Sequence, residues 1–204
     1  TYTFKSSIDK YVRANYTLDG WSLTDNGEKV YGLGDAYTTN ANLTLYPHWT
    51  ANTHTITYNN VETSELPEGY PETYTHESAV TLPVPTRNGY EFLGWFVDGE
   101  FNGDAVTEIP EGQTEDKVFF AKWSDAVEYT ITYENVNGAA NENATSYTIE
   151  QSVVLNNLEK DGFVFAGWFD NAQFEGDAAT EIPQGTTGEK TFYAKWLEIF
   201  TITY

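Results

Sequence analysis

Two acidic loops hold the residues whose types and spacing come closest to a chemical site. Three candidate ligands lie close together in each loop: Asp98, Glu100 and Asp104, and then Asp170, Glu175 and Asp177. Carboxylate oxygens in glycine-containing loops are the ligands that Ca²⁺ prefers, although the spacing is not that of an EF-hand. Asp, Asn and Gly also dominate ordinary turns. The sequence therefore leaves two interpretations, a calcium site or plain turns.

Groups that could act as general acids or bases are sparse. The chain has three histidines, His48, His54 and His76, and no cysteine. None of these histidines recurs at a fixed spacing, although much of the rest of the sequence does. Gly32-Leu33-Gly34 resembles the start of a phosphate-binding loop, but neither a third glycine nor a capped helix follows it. We therefore predict no catalytic residues, no cofactor and no enzyme activity.

Aromatic side chains are the remaining candidates for ligand binding. Tyr31, Tyr37 and Tyr70 stand where the repeated framework described below does not require a tyrosine. Exposed rings of this kind could bind a protein or stack on a glycan, whereas a lone tyrosine is more often a half-buried surface residue. The six tryptophans recur at fixed positions, which favours a role in the core.

The tryptophans show how the chain is organised. Each of three pairs has the same separation of 28 positions: Trp21 and Trp49, Trp95 and Trp123, Trp168 and Trp196. Residues 89–123 and 162–196 are identical at 20 of 35 positions. A fixed period of this length indicates a tandem array of small modules and argues against one large catalytic domain.

A second landmark sets the limits of the modules. The segment His54-Thr55-Ile56-Thr57-Tyr58 returns at 129–133 and again at 200–204. The predicted modules are repeat 1 (1–52, divergent), repeat 2 (53–127) and repeat 3 (128–198). Residues 199–204 read as the first strand of a following module.

The two ends of the chain raise a hypothesis about assembly. Thr1-Tyr2-Thr3 aligns with Thr73-Tyr74-Thr75, so repeat 1 lacks the strand that begins the other two, while 199–204 resembles that strand. One chain could therefore complete the next, head to tail, by strand addition. The simpler alternative is a piece cut from a longer array.

The charge of the chain narrows the classes of partner. The net charge is −21 overall, with −1 in 1–52, −11 in 53–127 and −9 in 128–198. Such an acidic surface repels nucleic acid and anionic lipid and favours solubility. No apolar run approaches the roughly 20 residues of a membrane helix. We therefore expect no nucleic-acid partner and no membrane insertion.

Alternation within each copy predicts its secondary structure. The 129–133 and 192–196 segments alternate β-branched or aromatic residues with polar ones, a period of two that is typical of strands. Ser152 could cap a short helix over 153–160, and Ser7 a similar one in repeat 1, whereas Pro83 and Pro85 prevent a regular helix in repeat 2. The predicted module is strand, strand, short helix, strand, strand, an α+β fold.

Three motifs of repeat 3 together carry a family resemblance. They are Gly-Phe-x-Phe-x-Gly-Trp-Phe at 162–169, Phe-x-Gly-Asp-Ala-x-Thr-Glu-Ile-Pro-x-Gly at 174–185 and Phe-Tyr-Ala-Lys-Trp at 192–196. This pattern resembles the Listeria-Bacteroides repeat, the internalin B-repeat family, over 53–198 and more loosely over 1–52. The resemblance implies an elongated array of β-grasp-like modules on secreted, surface-attached bacterial proteins, with no enzyme activity.

Two functions follow as expectations. In the first, the array is a stalk or spacer with adhesive or protein-interaction properties, bound to an unidentified surface protein or glycan. In the second, repeat 1 is a specific recognition module carried on repeats 2 and 3, since its charge and loops differ from theirs. Both place the protein outside the cell, attached to its surface.

Overall fold

The computed structural model describes residues 2–4 and 11–200, and the regular secondary structure among them is almost entirely β-strand, joined by turns and irregular loops. In chain order the strands are β1 (Tyr2–Thr3), β2 (Tyr16–Ser22), β3 (Tyr31–Gly32), β4 (Ala36–Tyr37), β5 (Tyr46–Ala51), β6 (His54–Asn59), β7 (Thr73–Tyr74), β8 (Val80–Thr81), β9 (Phe92–Phe96), β10 (Glu108–Ile109), β11 (Lys117–Trp123), β12 (Tyr129–Glu134), β13 (Ser146–Tyr147), β14 (Val153–Val154), β15 (Phe163–Phe169), β16 (Glu181–Ile182) and β17 (Lys190–Glu198). The helix content of these described residues is one 3₁₀ turn, Thr63–Glu65.

The predicted α+β fold is wrong, because the described residues form a β-sheet-rich structure without the short helix predicted in repeat 3. The stretch predicted to be helical in repeat 3 begins with β14, where Val153 and Val154 pair antiparallel with β16. The amide of Leu155 then donates to Thr180 O over 2.9 Å. Two β-branched residues lose rotamer freedom in a helix and fit a pleated strand, and a distant strand satisfies their backbone groups. The helix predicted to follow Ser7 in repeat 1 lies outside the described residues.

Repeats 2 and 3 have the same strand arrangement. Each contains a four-stranded sheet, in the order β7-β6-β11-β9 in repeat 2 and β13-β12-β17-β15 in repeat 3. The first and last strands of each repeat, β6 with β11 and β12 with β17, form a parallel pair. A separate two-stranded ribbon, β8 with β10 or β14 with β16, completes each repeat. The alternating segments of the sequence are thus strands, and they lie at the centre of the sheets.

In repeat 3, the apolar residues of the alternating strands form the core. Trp168, Tyr147 and Ala194 are each 1% exposed, and they pack with other buried residues, namely Ile131, Leu155, Leu158, Ile182 and Phe192. Thr130 and Thr132, which alternate with Ile131 along β12, are exposed. The apolar face of the sheet therefore packs against the segment that contains β14.

Repeat 1 is built differently. Its sheet has three antiparallel strands in the order β3-β2-β5, and β1 pairs with β4. Among its described residues there is no counterpart of β6 or β12, so β5 pairs with β2 alone.

The chain forms two compact units. One unit comprises 1–85 with 94–122, and the other comprises 86–93 with 123–204. Repeat 1 therefore shares a unit with most of repeat 2, and the segment 86–93 of repeat 2 shares a unit with repeat 3.

Candidate functional sites

The tryptophans of each pair occupy different environments. Trp21, Trp95 and Trp168 are buried, and their partners 28 positions later, Trp49, Trp123 and Trp196, are half-buried. The indole N–H of Trp95 donates to Pro83 O over 2.7 Å. That of Trp168 donates to Asn156 O over 2.9 Å. A buried indole usually needs such an acceptor, and the irregular backbone after β8 and β14 supplies it.

Asn143, which is 6% exposed, explains why this backbone stays irregular in repeat 3. Its side chain donates to Asn156 O over 3.1 Å and accepts from Asn156 N over 2.6 Å. Both backbone groups of Asn156 are thereby satisfied without a helix. Asn143 was not among the residues predicted to be important, and repeat 2 has no equivalent asparagine that would have indicated its role.

A tyrosine–glutamate contact recurs at both boundaries between repeats. Tyr16 of repeat 1 donates its hydroxyl to Glu77 Oε1 of repeat 2 over 2.8 Å. Tyr90 of repeat 2 donates to Glu150 Oε1 of repeat 3 over 2.7 Å. The two tyrosines are 74 positions apart and the two glutamates 73. We call these contacts joint 1 and joint 2, and each lies within one compact unit.

An arginine lies three positions before each joint tyrosine. The guanidinium of Arg13 lies 3.7 Å from the ring centroid of Tyr16. That of Arg87 lies 5.8 Å from the ring of Tyr90 and 4.5 Å from the ring of Trp123. Cation–π contacts of this kind fix the orientation of the ring. The Arg-x-x-Tyr spacing at 13–16 and 87–90 is visible in the sequence, so a comparison of the copies could have found the joints.

Hydrogen bonding to glutamate also changes the pKa of the two joint tyrosines, Tyr16 and Tyr90. The bonds to Glu77 and Glu150 raise the pKa of Tyr16 and of Tyr90, because an ionised phenol would lose the bond and face a carboxylate. The phenols therefore stay protonated, and able to donate, beyond the ordinary range of tyrosine.

The linker backbone is fixed at the same places. Asn52 N donates to Asn15 O over 2.9 Å at joint 1, and Val127 N donates to Gly89 O over 2.8 Å at joint 2. Gly89 has φ +77°, and a Cβ there would lie 2.7 Å from Ile149 Cγ2. Glycine is needed at this position both for its left-handed conformation and for the close approach of the next repeat. Each joint thus combines a backbone bond with a side-chain bond.

A polar cluster distinguishes repeat 1. Asp19 Oδ1 lies 2.6 Å from His48 Nδ1, and Asp19 Oδ2 accepts from Thr50 Oγ1 over 2.9 Å and from Lys29 Nζ over 3.1 Å. Burial opposes ionisation of Asp19, but these bonds outweigh it and lower its pKa to about 2. Thr50 donates to the aspartate and not to the histidine, so the hydroxyl is not activated as in a catalytic triad.

Side-chain acceptors in the two acidic loops bond to backbone amides of the same loops. Asp98 Oδ1 accepts from the backbone amides of Glu100 and Asn102 over 2.8 and 3.4 Å. Asn171 Oδ1 accepts from Glu175 N over 3.0 Å. These are side-chain-to-backbone turns. Asp104 and Asp177 are exposed, and Asn171 Nδ2 donates to Asp170 Oδ1 over 2.9 Å. In the part of the chain that the structure describes, no three His, Cys, Asp or Glu residues converge as a metal site requires.

The three candidate tyrosines are half-buried and are not brought together at one site. The ring of Tyr31 lies 5.0 Å from that of Phe4 and 6.2 Å from that of Tyr37. Tyr37 donates to Ala41 O over 3.1 Å. Tyr70 packs edge-on to Tyr58, with 5.7 Å between ring centroids, and donates to Glu72. Tyr31 and Tyr37 therefore belong to the aromatic cluster of repeat 1, while Tyr70 belongs to repeat 2.

The strands, the duplicated sheets and the two equivalent joints define a tandem-repeat protein built of β-sheet modules. The Listeria-Bacteroides repeat domain matches residues 1–48, 54–122 and 129–195, three copies that together cover nearly the whole chain. The chain belongs to this repeat family, as its motifs predicted.

Two relatives come from Evansella cellulosilytica. One, named "Putative Gly-rich membrane protein", is 28% identical over 95% of this chain and 22% of its own length. The other, named "Putative membrane protein", is 29% identical over 90% of this chain and 27% of its own length. The chain thus spans about a quarter of each relative. No solved structure matches it.

Within residues 2–4 and 11–200, no helix has the length and apolar character needed to cross a lipid bilayer.

Proposed function

We propose that the chain is a non-catalytic spacer and adhesion array of a bacterial protein that is secreted and attached to the cell surface. The observation that carries the proposal is the recurrence of the joint at both repeat boundaries. A binding site could be present once, whereas a spacer needs the same restraint at every boundary. The names of the two relatives, which refer to membrane proteins, support a location at the cell surface.

The joints suit a spacer because each restrains one repeat against the next in two ways. A linker amide donates to a carbonyl just before the Trp-bearing strand, and the tyrosine one residue further along the chain donates to a glutamate of the following repeat. Restraint of this kind reduces the conformational freedom of the linker. The acidic charge of repeats 2 and 3 keeps the array soluble and opposes its collapse.

Adhesion follows from repetition. Modules in a row can each bind a partner weakly and gain avidity together, without one deep site. The partner class that we propose is a surface protein or glycan, since the charge disfavours nucleic acid and anionic lipid.

Backbone order in the linkers tests the spacer proposal. We expect ¹⁵N relaxation of residues 50–53 and 124–128 in the whole chain to give order parameters near those of the strands, about 0.85. Order parameters below about 0.6 would show freely swinging linkers and would contradict a spacer function.

Binding of the whole chain to immobilised glycans, matrix proteins and cells tests the adhesion proposal. Retained binding in the variants Tyr31→Ala and Tyr37→Ala is expected if all repeats contribute. Complete loss of binding in both would instead favour the second function, recognition by repeat 1.

A further inference from the structure

The two joints have the same hydrogen bonds but differ in a side chain that packs against them. In joint 1 the ring of His76 meets the ring of Tyr16 edge-on, with 4.9 Å between their centroids. The equivalent residue of repeat 3, 73 positions later, is Ile149. It lies so close to joint 2 that a Cβ built on Gly89 would be 2.7 Å from its Cγ2 atom. A titratable side chain therefore lies in joint 1 where joint 2 has an apolar one.

The imidazole of His76 lacks a hydrogen-bond partner on its buried side. Its Nδ1 atom is buried and has no partner among the described residues. Its backbone carbonyl accepts from Gly112 N over 2.8 Å, which holds the residue in its own repeat. A neutral ring can place its proton on Nε2 and leave only a lone pair at Nδ1, whereas a charged ring places there an N–H group that needs an acceptor. The contact therefore suits the neutral form of the ring.

The charged groups around this ring do little to stabilise a second proton on it. The guanidinium of Arg13 lies 3.7 Å from the centroid of the Tyr16 ring, against which His76 packs, and its charge has the same sign as an imidazolium. Glu77 already accepts from Tyr16 over 2.8 Å, and a turn of Glu77 towards His76 would break that bond. Glu77 and Glu111, on the loop that holds His76, are both exposed, so solvent screens their attraction.

A second histidine of repeat 2 provides an internal comparison. His54 Nε2 is also buried without a partner among the described residues, and its ring lies 5.5 Å from that of Tyr74. Its equivalent in repeat 3 is Tyr129. The backbone bond from Thr55 and, to a smaller extent, the charge of His54 lower the pKa of Asp116. Because this carboxylate favours a charged His54 ring, we expect proton uptake by His54 to leave joint 1 closed.

We propose that joint 1 is a pH-sensitive hinge, in which proton uptake by His76 in mildly acidic surroundings releases repeat 1 from repeat 2 while joint 2 stays closed. Histidine is the side chain whose charge ordinarily changes between pH 5 and 8. The open joint exposes the ring to water and binds the proton more readily, so a fall in pH favours the open form. The inference rests on the joints of the proposed spacer and adds a condition under which one of them opens.

Hydrogen exchange of the two linker amides in the whole chain tests the hinge. The amide of Asn52 is bonded at joint 1 and that of Val127 at joint 2, so each reports on its own joint. The measured rate is divided by the intrinsic rate at each pH to give a protection factor. Between about pH 7.5 and about pH 5.5 we expect the protection of Asn52 to fall about ten-fold, in step with the titration of the ring protons of His76. The protection of Val127 should stay constant, since this pH range lies above that in which glutamates ordinarily take up protons.

Two variants identify the group that is responsible. His76→Ile gives joint 1 the side chain found in joint 2, and Asn52 should then be equally protected at both pH values. His54→Tyr copies residue 129 of repeat 3 and is the matched control, because it removes the other histidine that has a buried, unpartnered nitrogen. In this control the ten-fold fall at Asn52 should persist.

Three results would overturn the hinge. They are equal protection of Asn52 at both pH values in the unchanged chain, an equal fall at Val127, and a fall at Asn52 that persists in H76I. Each leaves the spacer proposal in place when both amides are protected at the higher pH. Exchange of Asn52 at its intrinsic rate already at that pH would overturn both proposals, because joint 1 would not be closed in the first place.

Discussion

At the scale of single residues, the glycines before Trp95 and Trp168 have the clearest structural role. Gly94 and Gly167 have φ values of +128° and +125°. A Cβ at either position would lie 2.6 Å from the Cβ of Ala105 or Ala178. The pairing of β15 with β17 shifts register between Phe165 and Gly167. The neighbour that requires glycine at these positions is an alanine of the following loop.

Gly167→Ala should therefore destabilise repeat 3 strongly. Both the left-handed backbone and the clash with Ala178 oppose a side chain, and we expect a loss of about 2–4 kcal/mol in the free energy of unfolding. Denaturant unfolding followed by signals of repeat 3 measures it. The matched control is Gly176→Ala, which has φ +81° but nothing within 4 Å of its Cβ, and should lose only about 1 kcal/mol. Equal losses would show that the clash does not matter.

Asp19 predicts a pH dependence confined to repeat 1. Its pKa is lowered to about 2 in the folded chain, so its contribution to stability is fully present above the ordinary aspartate range, near pH 4, and is lost as the pH falls towards 2. We expect Asp19→Asn to lower the stability of repeat 1 at neutral pH by on the order of 1 kcal/mol, after allowance for solvent screening.

Unfolding of repeat 1 at several pH values, followed by its own NMR signals, checks this dependence. The variant should lose stability less steeply than the unchanged chain between about pH 4 and pH 2. Asp25→Asn, at an exposed carboxylate of the same repeat, should leave the slope unchanged. Parallel slopes for Asp19→Asn and the unchanged chain would mean that the cluster does not stabilise the fold.

At the scale of elements, the local sequence predicted the central strands correctly but predicted a helix where repeat 3 has a strand. Alternation placed the strands correctly, because a period of two is set by neighbouring residues alone. The predicted helix after Ser152 failed because Val153 and Val154 pair with β16, a partner that the local sequence does not contain. Their β-branched side chains were a signal for a strand, and the possible helix cap at Ser152 outweighed it in the prediction.

Tyr90→Phe should loosen joint 2 without unfolding either repeat. The variant removes only the hydroxyl that bonds Glu150, and the amide of Val127, which bonds Gly89 O, should exchange faster with solvent. Hydrogen exchange at Val127 measures this. Glu150→Gln combined with Tyr90→Phe should add less than the sum of the two single effects.

The joint should also respond to alkaline pH. The raised pKa of Tyr90 means that the bond is fully present below the ordinary tyrosine range and is lost as the pH rises through the higher value of the folded chain. Tyr46→Phe, at an exposed tyrosine outside both joints, is the control and should not change exchange at Val127. If the Val127 amide exchanges at the same rate in Tyr90→Phe as in the unchanged chain, the tyrosine–glutamate bond does not restrain the linker, and the spacer proposal loses this support.

At the scale of the whole molecule, charge sets the response to salt. A net charge of −21 on 204 residues creates self-repulsion that added salt screens. We expect the thermal midpoint to rise with ionic strength, and to rise equally in CaCl₂, MgCl₂ and NaCl when ionic strength is matched.

Comparing the thermal midpoint in CaCl₂ with that in MgCl₂ and NaCl tests for a calcium site. The carboxylate of Asp98 and the amide of Asn171 already serve as acceptors in their turns, which supports plain loops. An additional rise in Ca²⁺ alone, lost in the variants Asp98→Ala and Asp170→Ala, would instead assign calcium to the acidic loops.

The sequence by itself determined the repeat family, the three copies and the positions of the central strands. The family and the copies follow from residue types that recur at fixed spacing. The strands follow from a period of two, which depends on neighbouring residues and not on distant partners. Only the tertiary structure decided that the stretch after Ser152 begins with a strand in place of the predicted helix, and that Tyr16 and Tyr90 reach glutamates of the next repeat. Each of these depends on residues far apart in the chain, and the contacts between them become visible only when the backbone is folded.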